Sequence, residues 1–299
     1  MSTSEIYHVL LYYKYVKVED PVSVADEHRA LCQQLGLKGR ILISPEGING
    51  TCSGTIEATN RYIEVMNQHP LFSDIFFKID EHEGHAFKKL YVRAKKELVT
   101  WRFENDFDPT ELTGKYLSPA EFKEHLLRDD VLVIDGRNDY EYDLGHFRGA
   151  IRPGVETSRD FPEWIRENLS QFKDKKVISY CTGGIRCEKL TGFLLQEGFQ
   201  DVSQLHGGVV NYSQDPATKG ELWDGKLYVF DERISVPVNH VDPTVVGKCH
   251  HCQAPAETYI NCEYDLCHHQ HLVCPECEET YNGYCKKECE EQDLIRKEA

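Results

Sequence analysis

Eight of the twelve cysteines of this chain fall between Cys249 and Cys289, in four close pairs: Cys249-x2-Cys252, Cys262-x4-Cys267, Cys274-x2-Cys277 and Cys285-x3-Cys289. A segment of about 50 residues with so little apolar content cannot bury a core of its own, so cross-links must hold it. Residues 1–20 alternate apolar side chains with Tyr, Lys and Glu, without a basic head or a small-residue cleavage site. That stretch reads as a strand rather than a secretory leader. No apolar run approaches the ~20 residues that cross a bilayer. The expected setting is therefore the reducing cytoplasm, without membrane contact, where metal thiolates are favoured over disulfides. Eight thiols make two tetrahedral sites of four, structural zinc being the expected ion and the order either sequential or interleaved. His250, His251, His268, His269 and His271 offer alternative ligands, and redox cysteines or a labile iron–sulfur cluster are the competing uses.

Ahead of this tail the 299 residues hold room for two ordinary domains. Residues 7–13 pattern as a strand, and Asp20-Pro21 caps a helix whose Val24, His28, Leu31 and Leu35 recur at helical spacing before Gly36. Strands follow at 40–43 and 51–53, the second after a turn at Glu46-Gly47-Ile48-Asn49-Gly50. A helix over 55–68 turns Ile56, Ile63 and Met66 to one side. Strands at 76–79 and 90–93 complete a β-α-β-β-α-β order, the ferredoxin-like arrangement of a first domain at 1–104. A polar stretch, Glu104-Asn105-Asp106-Phe107-Asp108-Pro109, serves as linker.

A second domain, 112–240, alternates helices with short apolar strands. Ser118-Pro119-Ala120-Glu121 is a capping box, strands at 131–134 and 177–180 end at Asp135 and Cys181, and a helix over 187–197 stops at Gly198. Val202 to Leu205 makes a third strand. This pattern is that of a parallel sheet covered on both faces, which carries its ligands at the carboxyl ends of the strands.

Cys181-Thr182-Gly183-Gly184-Ile185-Arg186 leaves such an end and enters a helix near Cys187. Two glycines let the backbone turn its amides inward as an anion nest at a helix N-terminus, a field that favours thiolate over thiol. Cys181 is therefore the expected nucleophile, and Cys187 a candidate to resolve an oxidised or persulfidated Cys181. The competing view is a buried, inert cysteine followed by a turn.

Asp135-x-Arg137, Glu141-Tyr142-x-x-Gly145-His146-Phe147-x-Gly149-Ala150, the Cys181 loop and Leu205-His206-Gly207-Gly208 together resemble a rhodanese domain. Phosphatases of similar fold place five residues between cysteine and arginine; this loop has four, a length that suits a sulfur atom on the cysteine better than a tetrahedral phosphate. The run from Cys181 through Lys189, with Glu46-Gly47-Ile48-Asn49-Gly50-Thr51 and Leu222-Trp223-Asp224-Gly225…Val229-Phe230-Asp231-Glu232-Arg233, resembles the tRNA uridine-34 5-hydroxylases. The resemblance implies a multidomain α/β and α+β protein: a ferredoxin-like (acylphosphatase-like) N-terminal domain, a rhodanese-like parallel α/β domain and a small cysteine-rich region at 241–299. It implies molecular oxygen as co-substrate with a separate reductant, tRNA as partner through its anticodon loop, and Cys181 as catalytic residue. No flavin, haem or pterin fingerprint is visible. Asp135 and Arg137 are expected to position the loop, Glu141 and His146 to hold connections or carry protons, and Gly136 to loosen a strand end where rhodaneses carry a β-branched residue.

The chain carries a formal charge of −16, which argues against non-specific nucleic-acid binding by the whole molecule. Between His85 and Arg102, however, Lys88, Lys89, Arg93, Lys95, Lys96 and Arg102 face Glu97 alone, with Tyr91 and Trp101 interleaved. Such a stripe suits phosphates and unpaired bases, and equally a lysine-protected edge strand. Two other activities compete: a sulfurtransferase passing sulfane sulfur from thiosulfate through Cys181, and a non-enzymatic zinc scaffold with an idle loop. Nothing in the sequence sets an oligomeric state.

Overall fold

The computed structural model describes residues 5–103 and 107–298. Its N-terminal part runs β1 (Ile6–Tyr15), α1 (Pro21–Gln34), β2 (Lys38–Ser44), β3 (Gly47–Thr55), α2 (Ile56–Gln68), β4 (Lys78–Glu83) and β5 (Leu90–Ala94). The sheet order β4-β1-β3-β2-β5 is the ferredoxin-like set with one added edge strand, β5, parallel to β2. Asp20 caps α1 and Thr55 caps α2. Alternation along β1 turns Leu10 and Tyr12 into a core with Ile41, Ile43, Ile48, Tyr62 and Met66.

Among the described residues, neither helix of this N-terminal part covers the opposite face. Register places Lys78, Leu11, Thr51, Arg40 and Tyr91 in one row across all five strands. Tyr13, Asn49, Leu42 and Arg93 form the next.

Three local expectations are corrected. The β2–β3 connection is the two-residue turn Pro45-Glu46, so Gly47 to Gly50 lie in β3, where Ser44 pairs with Gly47. In α2 the buried stripe is Thr59, Tyr62 and Met66, and Ile56, at the first helical position, is exposed. The fourth strand begins at Lys78, leaving Phe76 outside it, exposed and stacked on His206.

The second part contains β6 (Lys115–Leu117), α3 (Pro119–Leu126), β7 (Val131–Asp135), α4 (Asp139–Leu144), β8 (Gly145–Phe147), α5 (Phe161–Asn168), β9 (Lys176–Tyr180), α6 (Ile185–Gln196), β10 (Asp201–Leu205), α7 (Gly208–Gln214), β11 (Trp223–Tyr228) and β12 (Ser235–Pro237). The parallel sheet β6-β10-β9-β7 has one apolar cluster with α3, α7 and the small antiparallel sheet β12-β11-β8, and another with α5 and α6. The capping box at Ser118 and Glu121 forms. Helix α6 starts two residues earlier than its apolar spacing indicates, because Ile185 and Arg186 already belong to its first turn. Of the linker, Glu104, Asn105 and Asp106 lie outside the described residues, while the Phe107 ring packs over Gly192 so closely that a Cβ there has no room. Val99 and Trp101 belong to the α5–α6 cluster, Trp101 stacking on Phe161. Trp101 is thus a core residue and not a platform for RNA bases. Its place is set by tertiary contact that local pattern does not carry.

The last part holds β13 (Thr258–Asn261) paired with β14 (Gln270–Val273), then α8 (Pro275–Thr280) and α9 (Lys287–Glu298). It docks on the second part through Leu144 and Tyr228, with Tyr259 donating to the Tyr140 carbonyl at 2.8 Å and Tyr228 to Gln270 at 2.8 Å. Among the described residues no helix is long and apolar enough to cross a membrane.

Candidate active site

Strand β9 delivers Cys181 to the carboxyl edge of the parallel sheet, and the next three residues turn the chain into α6. Gly184 holds φ +107°, a conformation L side chains rarely adopt, and so points its amide at Cys181 Sγ, 3.1 Å away. The second glycine-rich motif buttresses this loop. Gly207 and Gly208 are both left-handed, a Cβ on Gly208 would collide with the carbonyls of Cys181 and Thr182, and Val209 and Val210 donate to those same carbonyls at 3.0 and 3.1 Å. Those bonds leave the Cys181 and Thr182 carbonyls satisfied and free the loop amides to face the sulfur.

Burial pushes the Cys181 thiol up, but the Cys187 thiol, the Arg186 guanidinium and the amides of Cys187 and Gly184 outweigh it and bring its pKa to about 6. Cys187 moves the opposite way: burial and the neighbouring thiolate hold it protonated. The two sulfurs therefore share one negative charge, carried by Cys181 and hydrogen-bonded by Cys187. Arg186 is clamped by Glu141 in a two-pronged ion pair of 2.6 and 2.9 Å and donates to Thr182 Oγ1 at 3.1 Å. Burial raises the Glu141 carboxyl, yet Arg186 and Arg137 hold it below its ordinary range. Glu141 is thus an anchor and not a proton carrier.

Asp135 and Arg137 form a fully buried pair at 2.6 Å; Tyr180 donates to Asp135 at 2.7 Å and Arg137 to the Gly145 carbonyl at 2.7 Å. They brace the strand ends beneath the loop. Gly136 does not loosen that end: its amide donates to the Tyr180 carbonyl at 2.8 Å, and a Cβ would touch Leu190 and Tyr180 at 3.1 Å. His146 stacks on Tyr142 and donates to its carbonyl at 2.9 Å, in a separate pocket beside the tail histidines.

Cys181 is almost wholly enclosed, at 1% exposure, but it lines a cavity of about 380 Å³ that also touches Gly183, Ile185 and Arg186. That size falls in the ~300–1,000 Å³ range of small-molecule pockets. Its roof is the uncovered face of the N-terminal sheet: Leu11, Tyr13, Asn49, Thr51, Arg40 and Leu42. Leu11 meets Gly183 and Tyr13 meets Gly184 closely enough that a Cβ on either glycine would crowd them. Two pins join the halves: the Tyr13 hydroxyl donates to Glu188 at 2.7 Å, and Lys189 pairs with Glu46 at 2.6 Å. Of the roof, the sequence singled out only Asn49 and Thr51, as part of the Glu46–Thr51 motif; Leu11, Tyr13, Arg40 and Leu42 were missed, although β1 has apolar or aromatic residues on both faces, which a one-sided sheet would not have.

Lys88, Lys89, Arg93, Lys95 and Lys96 are all exposed along and beyond β5. Lys88, Lys89 and Tyr91 line a groove that shares Arg40, Phe87 and Phe230 with the cavity above Cys181. Arg93 lies over the Tyr91 ring.

All twelve cysteines are free. The tail thiols gather as Cys249, Cys252, Cys274 and Cys277, and as Cys262, Cys267, Cys285 and Cys289. The order is interleaved, and none of the five histidines belongs to either group. Neighbouring sulfurs stand 3.6–3.8 Å apart. That is far from the ~2.05 Å of a disulfide and close to the ~3.7 Å edge of a tetrahedron with ~2.3 Å metal–sulfur bonds. The two groups could each hold a metal ion.

The chain matches the UPF0176 acylphosphatase like domain over residues 7–98, the rhodanese-like domain over 118–215 and the rhodanase C-terminal region over 224–290. It is 60% identical over 290 residues, 97% of this chain and 92% of the relative, to a Staphylococcus saprophyticus protein named tRNA uridine(34) hydroxylase. Proteins of the same name from Enterococcus faecalis (58% identical; 97% of this chain, 92% of the relative) and Bacillus licheniformis (58%; 95% and 88%) are similar over nearly the same span.

Proposed function

The chain belongs to the tRNA uridine(34) hydroxylase family, and on that premise we propose that it is a tRNA-modifying oxidoreductase that converts the wobble uridine to 5-hydroxyuridine with Cys181 as its reacting group. The observation that carries this reading is the anionic sulfur at the floor of a 380 Å³ cavity, roofed by a sheet whose edge is basic and aromatic. Uridine C5 resists oxidation until a nucleophile adds at C6. As the Cys181 sulfur, thiolate or persulfide, bonds to C6, the C5=C6 electron pair shifts toward C4 and its oxygen, and C5 becomes nucleophilic. Molecular oxygen is the co-substrate: one atom goes to C5 and the other leaves as water, with two electrons and two protons from a separate donor. Loss of the C5 proton and of the sulfur then restores the ring. In cells lacking the protein, nucleoside mass spectrometry of tRNA should show loss of 5-hydroxyuridine, restored by the intact gene. Loss of a thiolated nucleoside instead would establish the sulfurtransferase activity in its place.

The groove from Lys88, Lys89 and Tyr91 past Arg40 and Phe230 is the proposed path of the anticodon loop, with Arg93, Lys95 and Lys96 continuing the basic edge. Aromatic rings can stack on splayed bases there while lysines track phosphates. Replacing Lys88, Lys89 and Lys95 together by glutamate is expected to weaken tRNA binding by tenfold or more. It should also flatten the salt dependence by about two in log–log slope, since each phosphate contact contributes ~0.7–0.9. Filter binding across a salt series reads both; unchanged affinity would return the stripe to edge protection.

In the tail we propose structural zinc. Cys249, Cys252, Cys274 and Cys277 would hold one ion, and Cys262, Cys267, Cys285 and Cys289 the other. The metal's contribution would be to tie the β13–β14 hairpin to the loops and helices around it. No redox step is assigned to it.

A further inference from the structure

Lys78 opens β4 at 3% exposure, a depth lysine almost never occupies unless paired. Among the described residues its ammonium donates no hydrogen bond and meets no carboxylate within ion-pair distance. It stands over the rings of Tyr13 and Phe76, 5.3 and 5.2 Å from their centroids.

The charged groups that face it are already committed to others. On β1, the Tyr13 hydroxyl donates to Glu188 on α6. On β4 itself, Asp80 is held by Arg233 at 2.5 Å. Before β4, Asp74 is held by Lys14. After β10, His206 stacks on Phe76 and packs edge-on against Tyr116. Glu81 lines the same lobe but is exposed to solvent, and the charge that acts on the ammonium is across the domain boundary. Burial pushes the Lys78 pKa down to about 8, and the Cys181 thiolate pulls it back up. Lys78 lines a lobe of about 340 Å³ that shares Leu11, Thr51, Thr182 and Phe230 with the lobe above Cys181.

A solitary buried cation is costly, and a protein that only needed to fold would do better with an apolar side chain here. We propose that Lys78 is a second catalytic residue of this site, delivered from the N-terminal sheet to hold the anion that Cys181 creates: the thiolate at rest, and the C4 oxygen of the uracil once the sulfur has added to C6. The inference rests on the uridine reading above. In that step the C6–S bond forms, the C5=C6 pair moves through C4 onto its oxygen, and the ammonium donates a hydrogen bond to the charge that develops. That pair is then spent on the C5–O bond as the C4 carbonyl re-forms, and loss of the C5 proton supplies the electrons that expel the sulfur. Lys78 keeps its proton throughout, and the two electrons that reduce the second oxygen atom to water come from the separate donor. A charged donor in a site shielded from water stabilises such an oxyanion far more than the same donor in water. The assignment also gives the N-terminal domain a chemical role, because the catalytic constellation is complete only when the sheet covers the loop.

The test uses full-length Lys78→Met and Lys78→Arg. Methionine keeps the length of the stem and removes a buried charge, so the fold is expected to hold, which a thermal melt checks. Without tRNA, the pH midpoint for alkylation of Cys181 by iodoacetamide should rise by about one unit in Lys78→Met and stay near wild type in Lys78→Arg. With tRNA, single-turnover formation of 5-hydroxyuridine should fall ~100-fold or more in Lys78→Met, with tRNA affinity within about twofold, and recover in part in Lys78→Arg. A Lys78→Met enzyme that hydroxylates at the wild-type rate, or whose loss lies wholly in tRNA affinity, overturns the proposal. A wild-type enzyme that makes no 5-hydroxyuridine defeats the uridine reading itself. The alkylation shift then decides alone whether Lys78 serves Cys181.

Discussion

Changing Cys181 to serine is expected to reduce 5-hydroxyuridine formation by a factor on the order of 10³ or more, while tRNA binding stays within about twofold. Serine is nearly the same size, and Arg186 remains clamped by Glu141, so the loop keeps its shape. What is lost is the anion, since a hydroxyl stays protonated where the thiol does not. The remaining rate reflects binding and orientation alone. Single-turnover mass spectrometry and a binding titration separate the two effects, and an undiminished rate would remove Cys181 from the chemistry.

The same sulfur sets a pH signature. Its pKa is lowered to about 6 from the ordinary thiol range, so the wild-type rate should rise through pH 6 and level off above it. The sign for stability follows from the same shift. A depressed folded-state value contributes stability that is fully present above the unfolded thiol's pKa of ~8.5 and lost as pH falls through 6. Cys181→Ser should therefore show a weaker fall in stability between pH 8.5 and 6 than wild type, measured by urea unfolding.

Stripping the metal from the tail is the second large effect expected. Structural zinc contributes ~10–16 kcal/mol in small thiolate sites, more than a unit of one hairpin and two short helices can supply from burial. Metal analysis should return two ions per chain, and a strong chelator should release both. Limited proteolysis should then cut within residues 247–290 and leave the two upstream domains intact. Activity should fall as well, because the tail grips α4. Tyr259 bonds the carbonyl of Tyr140, the residue before Glu141, and Glu141 anchors Arg186 beside the reactive sulfur. Cys274→Ser, which opens one site only, is expected to reproduce the proteolytic change in part. A metal-free chain whose tail resists protease would show that packing alone holds it.

Much of the architecture was legible in residue order because it rests on local physics. Asp20-Pro21 capped its helix, and Ser118 with Glu121 closed a capping box. The apolar runs at Val131 and Val177 became buried parallel strands, the first ending at Asp135 and the second at Tyr180, just before Cys181. The reactive loop was legible for the same reason, since glycines and a helix start build an anion nest from a few consecutive residues. What local pattern misread was what a neighbour decides. Trp101 sits among basic residues in sequence, yet stacks on Phe161 in another domain's core. Ile56 repeats at helical spacing, yet the stripe that α2 buries is Thr59, Tyr62 and Met66, because Tyr62 meets Tyr12 at 2.5 Å. Of the two uses left open for Glu141, holding a connection or carrying a proton, the ion pair with Arg186 selects the first.

By itself the sequence determined most of the strands and helices, where the cysteine–glycine loop leaves its strand and that the tail gathers eight thiols in four close pairs, since each of these follows from composition and spacing within a short stretch of chain. Only the tertiary structure decided that eight thiols interleave as two sets of four, that the second face of the N-terminal sheet roofs the Cys181 cavity, and that a buried lysine from that sheet lines the adjoining lobe. Those features join residues as far apart as 78 and 181, and such meetings are set by how two apolar faces find each other in space, which no local periodicity encodes.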